Sequence, residues 1–144
     1  MQIPERIQKL SIDLETYSSV PIKYGVYPYA ESSDAEVLLF GYSINDGPVI
    51  VVDVANGESI PAFVLQALTD DSVIKWAFNA SFERIFLSYW LKKHYPEYFK
   101  SYSIPEDSVS NYLSPASWKC SMIWSAYMGL PLSLEGVGAV LGLE

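Results

Sequence analysis

Lys9-Leu10-Ser11-Ile12-Asp13-Leu14-Glu15-Thr16 places two carboxylates two residues apart inside an apolar run. Successive strand side chains point to opposite faces, so Asp13 and Glu15 share one face while Ile12 and Leu14 share the other. Like charges held side by side at the edge of a core repel each other and are costly to desolvate. A cation between them relieves both costs, and oxygen ligands so arranged suit magnesium or manganese. A plain strand with one wet face also reads apolar–acidic–apolar–acidic, so the pattern needs company before it means chemistry.

The segments around this strand define a fold class. Glu36 to Ile44 and Val49 to Val54 are β-rich runs separated by Asn45-Asp46-Gly47-Pro48, which predicts a hairpin and, with the first strand, an antiparallel meander. Between Tyr17 and Ser33 the Tyr-, Pro- and Ser-rich composition predicts a loop. Ser59 is expected to cap a helix through Thr69, with Pro61 in its first turn. Ser72 to Phe78 reads as a buried strand, parallel to the first because a helical crossover precedes it. A helix over 80–93 comes next, with Phe82, Ile85, Phe86 and Tyr89 forming one apolar stripe and Tyr95-Pro96 ending it. Residues 96–117 read as a long loop. Helices are expected over 118–128, with Trp118 and Trp124 in the core, and over 134–143, the latter capped by Ser133. The order βββαβαα gives an α/β layered domain: a three-stranded antiparallel meander plus a parallel strand, flanked by helices.

Composition narrows the function. At 144 residues, half of them hydrophobic, the chain is one domain's worth and can build a real core. Its single cysteine, Cys120, excludes an internal disulfide and fits a reducing compartment. No apolar run approaches the roughly 20 residues that span a membrane, and Met1-Gln2-Ile3-Pro4-Glu5-Arg6 lacks a signal-peptide layout, so a cytoplasmic location is expected. Nine basic residues against seventeen acidic ones give a net charge of −8. Proteins that grip a nucleic-acid backbone unaided are usually basic. This chain therefore either avoids nucleic acid, which charge alone favours, or acts on a strand end through bound metals while another domain supplies the grip.

A second signal answers the first. The strand ending at Phe78 runs into Asn79-Ala80-Ser81-Phe82-Glu83-Arg84, where Asn79 and Glu83 lie one helical turn apart. If that strand neighbours the first, Glu83 comes close to Asp13 and Glu15. Considered alone, Glu83 is an ordinary acid in a first helical turn, favoured by the helix dipole.

Together these residues resemble a known family. Ser11-Ile12-Asp13-Leu14-Glu15-Thr16 looks like the first motif of the DEDD-type 3′–5′ exonucleases, and Asn79-Ala80-Ser81-Phe82-Glu83-Arg84 like their second. Trp118-Lys119-Cys120-Ser121-Met122 and Gly129-Leu130-Pro131-Leu132-Ser133-Leu134-Glu135 resemble stretches downstream of those motifs in the proofreading domains of phage-type family A DNA polymerases. The likeness runs from about residue 9 to the last residue. It implies a ribonuclease H-like fold and a two-metal site, with Mg2+ or Mn2+ ions about 4 Å apart. Asp13 would bridge both ions, Glu15 would hold one and orient water, and Glu83 would anchor the second. Thr16 and Asn79 would contact the terminal nucleotide. The implied partners are a single-stranded or frayed DNA 3′ end and a polymerase domain in a longer chain, in a phage-infected host's cytoplasm.

Two departures stand out. The family's second motif commonly ends in aspartate, one methylene shorter than Glu83. Its third motif supplies a fourth carboxylate from a later helix, and Glu135 and Glu144, the only late acids, stand in no such motif. Residues 1–144 are thus expected to form a single, incomplete exonuclease-like domain, weak or inactive by itself. Two rival readings are a non-catalytic structural or strand-guiding module of the same fold, and an unrelated acidic α/β domain with decorative carboxylates. Tyr17, Tyr24, Tyr27 and Tyr29 suit either base stacking or packing of the loop over the sheet.

Overall fold

The computed structural model describes residues 6–100 and 112–143. Period-2 burial along β1 (Lys9–Tyr17) sets the architecture, with Leu10, Ile12 and Leu14 buried and Asp13 and Glu15 exposed. β2 (Glu36–Ile44) pairs antiparallel with β1, and β3 (Ile50–Asp53) antiparallel with β2. β4 (Ile74–Ala77) lies parallel to β1 on its other side, and β5 (Trp118–Cys120) lies parallel to β4. The sheet order is β3-β2-β1-β4-β5, so the carboxylate strand is central. This mixed sheet flanked by helices is the layout expected of a ribonuclease H-like domain.

The hairpin between β2 and β3 arises from its turn residues. Asn45 and Asp46 both adopt left-handed φ, 51° and 61°, and the Gly47 N–H donates to the Ile44 carbonyl at 2.8 Å. That is type I′ geometry, which matches the twist of flanking strands. Asn45 Oδ1 also accepts from the Gln8 and Lys9 N–H groups at 2.9 and 3.0 Å, fixing the entry into β1.

The helices are α1 (Val26–Glu31), α2 (Ala62–Thr69), α3 (Ala80–His94), α4 (Pro96–Lys100), α5 (Ser121–Tyr127) and α6 (Leu134–Leu141). The core joins Leu10, Ile12 and Leu14 to Phe40, to Val64 and Leu68 of α2, and to Phe86, Leu87 and Leu91 of α3. Full burial of each such side chain contributes on the order of 1.5–3 kcal/mol before entropy is counted. No described helix is long and apolar enough to cross a membrane.

Several expectations are corrected. α2 begins after Pro61, whose backbone is extended at φ −57° and ψ 143°, so Ser59 stands too far upstream to cap it. The segment 17–33 contains α1, which tolerates Pro28 because the N–H it lacks belongs to the unsatisfied first turn. Pro96 likewise opens α4 inside the predicted loop 96–117, of which residues 101–111 lie outside the described residues. Trp118 to Cys120 is strand β5, since the open edge of β4 offers partners for its backbone, and the helix starts only at Ser121. Trp118 is buried, whereas Trp124 is 54% exposed and merely flanks Trp76. Ser133 caps α6 as expected, its Oγ accepting from the Gly136 N–H at 3.0 Å.

β4 carries one unusual core residue. Lys75 sits opposite Leu10 and is fully buried, with Nζ donating to the Asp70 carbonyl at 2.7 Å. Burial pulls its ammonium down to about 8, against the opposing pull of Asp71 and Asp70.

Candidate functional site

Asp13 and Glu15 project from the wet face of β1, held in place by the buried Ile12 and Leu14 between and beside them. Gly41 stands opposite Asp13 in the β1–β2 register and lays no side chain over it. A Cβ at Gly41 would come within 3.4 Å of the Asp13 carbonyl oxygen. A groove of about 220 Å³ opens there, lined by Asp13, Gly41, Ser43, Val49 and Val51 among others. The β1–β2 register shifts between Glu15 and Thr16. A bulge of this kind bends the strand and re-aims side chains, and here it falls directly after the second carboxylate.

Glu83 occupies the first turn of α3, where its N–H bonds the Asn79 carbonyl at 3.3 Å. Being acidic near a helix N-terminus does not require burial, yet Glu83 is only 6% exposed and its Oε2 has no hydrogen-bond partner. Burial pushes its carboxyl up to about 7; its own backbone N–H opposes this, and the charge of Asp13 pushes further in the same direction. The parallel β1–β4 pairing is what brings the two motifs to one end of the sheet, because β4 leads through Asn79 straight into α3.

Asn79 lies at the α3 N-cap and makes no side-chain capping bond, although asparagine is among the best residues for that task. Thr16 is half-buried, with Oγ1 2.8 Å from the Tyr29 hydroxyl. Tyr17, the last residue of β1, is 51% exposed. The remaining loop tyrosines divide between solvent and packing. Tyr24 is exposed, Tyr27 meets Tyr112 edge-on at 5.6 Å, and Tyr29 packs on Phe82 and Phe86.

Hard oxygen donors of this kind select Mg2+ or Mn2+ over softer metals. A buried carboxylate oxygen without a partner, under the influence of a second carboxylate, is the deficit that a cation would satisfy. In donor type, though not in spacing, the residues present suit a divalent ion. Among the described residues, however, no group of three or more His, Cys, Asp or Glu side chains is gathered closely enough to hold an ion. Asp13 lies near enough to Glu83 for its charge to raise the Glu83 carboxyl, after burial, and Glu15 shares the wet face of β1 with Asp13.

Sequence reasoning missed the Tyr29–Thr16 bond, because it crosses between elements that only the fold brings together. The sole histidine lies elsewhere, at the far end of α3. His94 Nε2 is 2.8 Å from Glu36, which also accepts from Lys93 Nζ at 2.7 Å and Trp90 Nε1 at 3.1 Å. Partial burial raises the Glu36 carboxyl, but these three donors outweigh it and hold the group below its usual range.

No family model matches the chain. It is 41% identical over 139 residues to a protein named DNA polymerase from Bacillus phage SP02. The match takes in 96% of this chain and 19% of that relative, so the chain spans about a fifth of the relative's length.

Proposed function

We propose that this chain is the metal-dependent 3′–5′ exonuclease module of a DNA polymerase, trimming single-stranded or frayed DNA 3′ ends. The observation that supports it most is the buried Glu83 carboxyl, whose Oε2 has no partner and which feels the charge of Asp13 on the strand that also carries Glu15. The similarity to a phage DNA polymerase supports the same setting, with the 144 residues forming one domain of a longer enzyme.

In this reading Asp13, Glu15 and Glu83 hold Mg2+ or Mn2+. Bound there, the ions would polarise the scissile phosphate and lower the pKa of water. Glu15, exposed beside Asp13, accepts a hydrogen bond from the attacking water and orients it. Thr16 Oγ1 and the uncommitted Asn79 amide bind the terminal nucleotide, and Tyr17 offers a ring to its base. Water oxygen bonds to phosphorus as its proton passes by way of Glu15 to solvent, the bond to the penultimate 3′ oxygen breaks, and that oxygen leaves to be protonated by solvent. Neither His94 nor Cys120 is needed.

A non-catalytic module of the same fold is the second reading, favoured by the lack of a converged three-ligand group among the described residues. Incubating a 3′-labelled oligodeoxynucleotide with Mn2+ and either the chain or its Asp13→Asn variant separates the two. Asp13-dependent release of terminal nucleotides supports the exonuclease. Metal binding with no release in any variant, even in a chain extended along the length of the relative, supports the structural module.

A further inference from the structure

Tyr29 is the one tyrosine of the 17–33 segment that joins both halves of the candidate site. Its hydroxyl lies 2.8 Å from Thr16 Oγ1, just past the bulge after Glu15. Its ring packs on Phe82 at 5.9 Å and on Phe86 at 5.8 Å, and those two rings stack on each other. Phe82 sits between Asn79 and Glu83 on α3. One side chain thus touches the end of the strand bearing two carboxylates and the first turns of the helix bearing the third.

β-branching restricts χ1 of Thr16, but its O–H still rotates about the Cβ–Oγ bond and needs a partner to set its direction. The Tyr29 hydroxyl fixes it. We propose that Tyr29 is a positioning residue: it orients the Thr16 hydroxyl toward the terminal nucleotide of a DNA strand and clamps β1 against the start of α3. Tyr29 acts through Thr16 and need not touch the substrate. This inference rests on the exonuclease reading.

The test measures binding of a short single-stranded oligodeoxynucleotide with a phosphorothioate terminal linkage, in Mn2+, to the 144-residue chain and to Tyr29→Phe, Thr16→Val, Thr16→Ser and the Tyr29→Phe/Thr16→Val double variant. Losing one hydrogen bond should weaken binding about three- to tenfold in Tyr29→Phe and in Thr16→Val. The double variant should be no weaker than Thr16→Val, since Tyr29 acts only through the hydroxyl that Thr16→Val already removes. Thr16→Ser, which keeps the hydroxyl, should bind more tightly than Thr16→Val, and Mn2+ affinity should stay within about twofold throughout.

Parental binding by Tyr29→Phe, or additive losses in the double variant, overturns the inference while leaving the nuclease reading in place. So does a parallel loss of Mn2+ affinity and melting temperature in Tyr29→Phe, which would mark a merely structural contact. A parent chain that binds Mn2+ but no oligonucleotide also removes the inference. A parent that binds neither removes the nuclease reading with it.

Discussion

Glu83, in the first turn of α3, has its proton affinity raised first by burial and then by the charge of Asp13 on the wet face of β1. Two like charges are set against each other across a strand–helix junction, and the buried one has an oxygen with no partner. Such an arrangement costs stability unless something positive is bound.

The cost should show in pH dependence. The Glu83 carboxyl titrates near 7 in the folded chain against an ordinary 4.5, so between those values the native state keeps a proton that the unfolded chain has released. Metal-free stability should then fall as pH rises from about 4.5 to 7, by up to about 3 kcal/mol. Glu83→Gln should lack that slope and be more stable than the parent above pH 7. Urea unfolding at several pH values checks this, and identical slopes in the two proteins would contradict it.

Asp13→Asn should leave folding intact or improve it, because Asp13 is exposed and repels Glu83. It should weaken Mn2+ binding at least about tenfold, as loss of a ligating carboxylate does. Calorimetric titration with Mn2+ makes the comparison. A surface aspartate without a metal role would leave affinity unchanged.

Lys75 gives an independent check away from the site. Its folded pKa, about 8, lies below the ordinary 10.5, so between those values the unfolded chain binds the extra proton and stability rises with pH. The stability of the parent relative to Lys75→Met should therefore increase from pH 8 to 10. A constant difference between the two proteins over that range would show that the buried ammonium is not strained.

For activity, the 144-residue chain is expected to digest DNA ends weakly, and a polypeptide that adds a further aspartate-bearing helix to digest them strongly. The motivation is that the resembled family's third motif, which supplies a fourth carboxylate, has no counterpart at Glu135 or Glu144. Robust, Asp13-dependent digestion by the short chain would contradict the expected weakness.

How much of this was legible in the sequence depends on how local each signal is. β1, the Asn45-Asp46 turn and the apolar stripe of α3 were readable because period-2 burial, turn chemistry and helical spacing are short-range properties. β5 was not, since the Trp118–Cys120 stretch becomes a strand only because the edge of β4 is there to pair with it. α1 was hidden by Pro28, which marks a loop in general and is harmless in a first helical turn. Asp13, Glu15 and Glu83 were named from motifs, but the burial of Glu83 and its orphaned oxygen needed the fold. Thr16 was readable as a candidate contact, whereas its bond to Tyr29 spans thirteen residues and a bulge.

The most direct test of the central claim is a crystal of the chain soaked in Mn2+, with anomalous scattering used to locate the ion. The account predicts an anomalous peak ligated by Asp13, with Glu15 and Glu83 turned toward it. Saturating Mn2+ with no peak near Asp13, and Glu83 still buried without a partner, would contradict it.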